Sequence, residues 1–268
     1  MKELIVRSIS GLLYISIILF SMFASREWFL VLFFLLGAIT VYEFQKLVHL
    51  KSFISYVILG VLLYFLSYTV WDENAIYLYC ILAIFVNLFL LKDLLVVGKI
   101  IPMFGRKKYI ALIFYLIAGF TFLTLIPYHN GTYQVWLIIG IFILIWANDS
   151  FAYLIGKNFG KRKLLERVSP KKTVEGFIGG FAGTFLAGFL IFNYTQLLSL
   201  GAWFAMAVMV TVLGTLGDLI QSKFKRQAGV KDSGSLMPGH GGIYDRLDSV
   251  IYVSPFIYAF LEIVDYVS

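Results

Sequence analysis

Apolar runs of membrane length alternate with short polar segments along the whole chain. A helix needs about 20 mostly apolar residues to cross a bilayer. Nine stretches meet or approach that length: 8–24, 28–47, 53–70, 75–91, 109–126, 134–155, 174–194, 202–220 and 249–267. Lipid offers no hydrogen-bond partners, so each stretch must satisfy its own backbone, and none shows the alternation of a barrel strand. The pattern predicts an all-α polytopic membrane protein with about nine transmembrane helices. It forms a single integral membrane domain over 1–268. Residues 1–130 are N-terminal helices, and 131–268 add the cytoplasmic loops with the densest polar chemistry.

The loops orient this arrangement. If the N-terminus is cytoplasmic, every Lys and Arg among the 22 except Arg26 falls in segments on the cytoplasmic side. That asymmetry follows the positive-inside rule and predicts a multi-pass protein of the cell (cytoplasmic or inner) membrane. Composition agrees: 60% of residues are hydrophobic and only 14% charged, against about 25% charged in soluble domains. The net charge of +7 fits basic loops facing anionic headgroups, not nucleic acid. Lys2 and Arg7 before the first apolar run resemble a signal peptide, but the spans that follow at once favour a retained first helix. The single cysteine, Cys80, lies in an apolar run and reads as buried packing.

One stretch stands apart, residues 218–248: DLIQSKFKRQAGVKDSGSLMPGHGGIYDRLD. It holds four aspartates, five basic residues, His240 and a glycine-rich turn between two apolar spans. Carboxylates suit hard cations, Lys and Arg suit phosphate oxygens, and Gly239, Gly241 and Gly242 let backbone N–H groups approach an anion. Asp149 and Asp218 stand inside predicted spans. A charge at mid-helix costs roughly 2.5–3.5 kcal/mol on insertion scales, so such residues usually have a task. Asp218, Ser222 and Lys225 or Arg226 share a helix face at i, i+4 and i+7 or i+8. Asp245 and Asp248, at i and i+3, can point at one ion, and the loop can fold Asp245 back towards Asp218. Asp232 reads as a residue that caps or solvates the loop.

The order S-x-F-K-R-x4-K-D-S-x4-P-x-H-G-G-x2-D-R-x-D from Ser222 to Asp248 resembles the phosphatidate cytidylyltransferases, or CDP-diacylglycerol synthases. The resemblance extends to Asn148–Tyr153 and to Ser169–Gly176, and so covers the second half of the chain. It implies a reaction of CTP with phosphatidate that yields CDP-diacylglycerol and pyrophosphate. It also implies Mg2+, with Mn2+ able to substitute and a second cation admissible, and a homodimer in the bilayer. On that reading Asp218 and Asp245 are the principal metal ligands, with Asp149 and Asp248 supporting. Ser222, Lys225, Arg226 and His240 join Asp218 and Asp245 as catalytic residues. Lys171, Lys172, Lys231 and Arg246 hold phosphates, and His240 with Gly239, Gly241 and Gly242 cradles the leaving pyrophosphate. The diacyl tails lie between spans.

Other features have plainer readings. Gly176, Gly179, Gly180, Gly183 and Gly188 suggest close helix packing. Glu43 reads as an interfacial charge, and His49 and His129 as solvated or interfacial. Two other functions compete. A CTP-dependent polyprenol kinase would release CDP, not pyrophosphate. A lipid transporter is disfavoured because the outer loops carry almost no chemistry and no inverted repeat appears.

Overall fold

A computed structural model of the chain describes residues 2–96, 105–129 and 131–267. Lys99, assigned above to a basic loop, lies outside the described residues, as do the side chains of Lys2, Arg7 and His129. The described residues form a helical membrane protein. Its rods are α1 (Lys2–Ala24), α2 (Arg26–Leu47), α3 (Ile54–Tyr68), α4 (Glu73–Leu95) and α5 (Arg106–Leu125). The series continues with α6 (Val135–Phe159), α7 (Val174–Thr195), α8 (Leu200–Gln227) and α9 (Tyr244–Val267). Seven are long and apolar enough to cross a membrane; α3 and the apolar part of α1 are shorter. Two small antiparallel hairpins interrupt them, β1 (Tyr128–His129) with β2 (Thr132–Tyr133), and β3 (Lys163–Leu165) with β4 (Ser169–Thr173).

Several starts are capped as the sequence allows. Thr173 accepts a hydrogen bond from Gly176 N at 3.1 Å, Ser199 from Ala202 N at 3.1 Å, and Asp72 from Asn74 N at 3.0 Å. Such caps contribute about 0.5–2 kcal/mol each. Several helices outrun their apolar runs: α1 begins at Lys2 and α4 ends at Leu95. α6 runs on to Phe159 and α8 to Gln227, while α9 begins at Tyr244, ahead of the apolar run. Hydropathy marks where lipid ends, not where the helix ends. Helix-forming polar residues such as Gln221, Lys223 and Lys225 carry α8 onward, buried all round from Leu219 to Lys225.

The glycine stripe does what packing requires. Added Cβ atoms would meet Ala152 O (2.7 Å) from Gly176, Ile155 (2.6 Å) from Gly179, the Asn148 side chain from Gly180, and Phe151 (2.6 Å) from Gly183. α6 and α7 therefore lie in direct contact along their length. At the far end of α7, Gly188 faces the backbone of Trp203 on α8. Cys80 is buried beside Pro255 O, and His49 is exposed.

The two ends of the bundle are built differently. At one end Arg26 closes α3, its Nη2 donating to Ser67 O (2.5 Å) and Tyr68 O (2.9 Å) while its guanidinium stacks 3.5 Å from the Tyr128 ring centre. At the other, Arg167 Nη2 donates to Leu94 O (2.7 Å) and Lys223 Nζ to Asp93 O (2.5 Å), so two cations meet the C-terminal carbonyls of α4. An aromatic cluster ties α2, α5, α8 and α9 together there. Phe44 lies 5.4 Å from Phe224 and 6.1 Å from Tyr244, and the Tyr115 and Tyr244 hydroxyls are 2.8 Å apart. Aromatic pairs of this kind contribute about 0.5–1.5 kcal/mol beyond area burial. They fix α8 against the start of α9.

Candidate active site

The site grows from one face of α8. Asp218, Gln221, Ser222 and Lys225 follow at i, i+3, i+4 and i+7, so their side chains stack along the rod. A turn of π-helix, Val210–Gly214, precedes them; such widened turns recur at functional sites. α9 crosses closely at Gly217, where a Cβ would come within 2.6 Å of Tyr252 and 2.9 Å of Asp248 O. That contact brings Asp248 to Asp218.

Asp218 is paired with Lys172, whose Nζ lies 2.5 Å from Oδ2, and accepts from Ser222 Oγ at 3.1 Å. The charges of Asp149, Asp218 and Asp248 act on one another and on Lys172. Burial works against the Lys172 charge, but the neighbouring carboxylates, Asp218 first, outweigh it and hold the ammonium above its ordinary value. Among the described residues, Asp248 accepts a hydrogen bond from the backbone N–H of Ser249 at 2.7 Å, and Asp149 accepts a long contact (3.4 Å) from Asn148. A cavity of about 590 Å3 opens onto this group. Asp149, Asp218 and Lys172 line it, with Lys157, Lys163 and Lys171 at its edge and Tyr153 and Phe177 on its apolar side.

Asp245 is differently placed. Lys225 Nζ (2.6 Å) and Gln221 Nε2 (2.8 Å) donate to Oδ1, and the backbone N–H groups of Ser233 (2.8 Å) and Gly242 (3.0 Å) donate to Oδ2. The loop does fold Asp245 back to α8, onto Gln221 and Lys225, one to two turns beyond Asp218. Among the described residues, no three carboxylate, histidine or cysteine side chains form a ready-made cation cage.

The glycine-rich turn closes on itself. Met237 N donates to Gly241 O (2.9 Å) and His240 N to Met237 O (2.9 Å), with Gly239 and Gly241 at φ +75° and +91°, where a side chain would be strained. The His240 ring does not reach the Asp218 cavity wall; its Nδ1 sits 2.8 Å from Ser10 Oγ on α1. Arg246 Nη2 donates to His240 O (2.6 Å) and steadies the turn. Arg226 also points elsewhere, to Val168 O (3.5 Å) and Val230 O (3.3 Å). Lys231 and Asp232 are exposed.

Glu43 corrects its sequence reading. It is 3% exposed, not interfacial. It accepts from Ile243 N (3.1 Å) and Tyr244 N (2.9 Å), the free donors at the start of α9, and from Ser233 Oγ (2.8 Å). A negative group is favoured at that helix end. The first half of the chain thus holds the loop in place twice, through Ser10 and Glu43. The one local signal for Glu43 was a carboxylate within an otherwise apolar run.

Across residues 5–264 the chain matches the model of the cytidylyltransferase family. The chain belongs to the cytidylyltransferase family. Relatives include the phosphatidate cytidylyltransferase of Bacillus subtilis, 34% identical over 96% of this chain and 97% of its own length. That of Haemophilus influenzae is 39% identical over 51% of this chain and 54% of its own. That of Staphylococcus aureus is 43% identical over 43% and 45%. The family match begins in α1, so it also covers the helices whose sequence carried no motif.

Proposed function

We propose that this cytidylyltransferase family member joins CTP and phosphatidate to give CDP-diacylglycerol and pyrophosphate. The observation that carries the reading is the cavity holding Asp149, Asp218 and Lys172 beneath a rim of lysines. It offers carboxylates for a cation and ammonium groups for phosphates in one space, and the family match and the names of the relatives supply the reaction class.

The phosphate of phosphatidate carries between one and two negative charges near neutral pH, so no base is needed to create the nucleophile. One of its oxygens forms a bond to the α-phosphorus of CTP, the bond from that phosphorus to the bridging oxygen breaks, and pyrophosphate leaves with the electron pair. Both partners are anions, and Lys172, Lys171 and the neighbouring lysines offset their repulsion. Holding the two phosphates in line contributes the rest. Carboxylate oxygens suit Mg2+, and Asp218 and Asp149 on the cavity wall, supported by the charge of Asp248, would hold it together with phosphate oxygens of the substrates. When bound, Mg2+ supplies positive charge to the phosphate oxygens as charge shifts onto the leaving group. The five donors to Asp245, Ser233 Oγ among them, make it an organiser of Lys225 and the loop on this reading. The site faces the cytoplasm, as the basic residues of the 47–54, 159–174 and 227–244 connections suggest, and the chain works as a homodimer.

The test is purified protein with labelled CTP and phosphatidate, with and without Mg2+. Formation of CDP-diacylglycerol and pyrophosphate that stops with chelator is the expected result. Release of CDP instead would point to phosphoryl transfer and overturn the proposal.

A further inference from the structure

We infer that Glu43 of α2 is a positioning residue for the reaction, acting through Ser233 on Asp245 and the first turn of α9. The inference rests on the activity proposed above. Glu43 makes no contact with the cavity that holds Asp218, so it does not touch substrate there. Its influence runs through what it holds.

Three observations carry it. First, Glu43 is buried with no lysine or arginine among its described hydrogen-bond partners; three donors from the loop and α9 serve it instead. A buried carboxylate is costly unless it is well satisfied, so these donors are held as firmly as the group is. Second, the Ser233 hydroxyl lies between two carboxylates, 2.8 Å from Glu43 Oε2 and 3.0 Å from Asp245 Oδ2. It has one hydrogen and donates to one of them at a time. Glu43, Ser233, Asp245 and Lys225 therefore form a single chain of contacts from α2 to α8. Third, the loop is shaped around Glu43. Cβ atoms on Gly234 and Gly242 would both strike its carboxylate. Gly242 is also the residue whose N–H holds Asp245 Oδ2. Moving Glu43 shifts Gly242, and with it Asp245 and the helix that carries Asp248. The consequence falls on the geometry of the reacting phosphates and not on their capture.

The experiment compares wild type with Glu43→Gln, Glu43→Asp and Ser233→Ala, each purified in detergent, using CTP and phosphatidate kinetics with thermal unfolding as a check on folding. Gln keeps one acceptor oxygen, and its amide nitrogen then faces either the Ile243 N–H or the Tyr244 N–H and the Ser233 hydroxyl, so at least one of the three donors loses its acceptor. Asp is one methylene short of all three donors. A displacement near 1 Å can cost about 100-fold in rate, so kcat should fall about 10-fold for Gln and further for Asp, with KM for CTP changing less than about 2-fold. Glu43→Gln placed on Ser233→Ala should cost much less than it does alone, because both changes break the same chain. A Glu43→Gln enzyme with wild-type kcat, strictly additive effects in the double variant, or a rise in KM with kcat preserved would each overturn the inference. If Glu43 variants unfold, Ser233→Ala and its kcat decide the matter alone. Wild-type protein that makes no CDP-diacylglycerol would instead indict the activity proposal.

Discussion

Asp218 on α8 and Asp245 on α9 are each paired with a lysine, yet their surroundings are opposite. Asp218 is 31% exposed, has one donor on each oxygen and opens onto a cavity. The Asp245 side chain is 4% exposed, with two side-chain donors on Oδ1 and two backbone N–H groups and the Ser233 hydroxyl on Oδ2. A saturated carboxylate is held in place; an under-donated one beside solvent can take a ligand. The same types of residue thus serve two ends: one pair supplies chemistry and the other supplies the frame that aims it.

The largest effect should come from the open pair. Asp218→Asn removes charge from the cavity but keeps the side chain's shape. Turnover is expected to drop at least about 1,000-fold, or about 4 kcal/mol in the barrier, while thermal unfolding in detergent moves little. Activity of wild type should vanish with chelator and return with Mg2+. An Asp218→Asn enzyme within a few-fold of wild type would remove that carboxylate from the reaction.

The closed pair should answer in stability first. Asp245→Asn leaves the buried Lys225 ammonium without its counter-charge, and breaking such a pair typically costs about 3–5 kcal/mol. The expected outcome is a clearly lowered unfolding temperature with a loss of activity that follows it. A variant as stable as wild type but inactive would erase the contrast between the pairs and return Asp245 to the ligand role that its sequence position suggests.

The helices and the face of α8 were legible because both depend on local rules. Apolar run length locates spans, and 100° per residue puts Asp218, Ser222 and Lys225 in line. The same arithmetic explains Arg226. At i+8 it has turned about 80° past Asp218, enough to send its guanidinium to Val168 O and Val230 O. Glu43 was not legible, because its partners Ser233, Ile243 and Tyr244 lie 190 to 201 residues away in sequence. The surroundings of His240 were hidden for the same reason: Ser10 of α1, 230 residues distant, lies 2.8 Å from its Nδ1. Nor could the pattern tell that Asp245 would gather five donors, since two are backbone N–H groups set by the turn.

The smallest expected effect concerns the rim, where the contrast between open and held groups repeats among cations. Lys171 is exposed at the edge of the Asp218 cavity, whereas Arg226, equally exposed, spends its donors on two carbonyls that join the 160s loop to the end of α8. A cation that meets a soluble nucleotide in both ground and transition state contributes uniform binding, and its loss raises KM without lowering kcat. Lys171→Ala should therefore raise a substrate KM by about 3- to 10-fold, equivalent to about 0.7–1.4 kcal/mol of phosphate contact, with kcat nearly unchanged. The two carbonyl bonds of Arg226 sit at a wet surface, where such contacts contribute about 1 kcal/mol in sum. Arg226→Ala should lower the unfolding temperature slightly and leave both kinetic constants within about 2-fold of wild type. Steady-state kinetics on the two variants, with CTP and then phosphatidate as the varied substrate, checks both outcomes. A kcat that collapses in Arg226→Ala would mean that its side chain leaves the carbonyls for the reacting phosphates, and the division of the basic residues drawn from the geometry would be wrong.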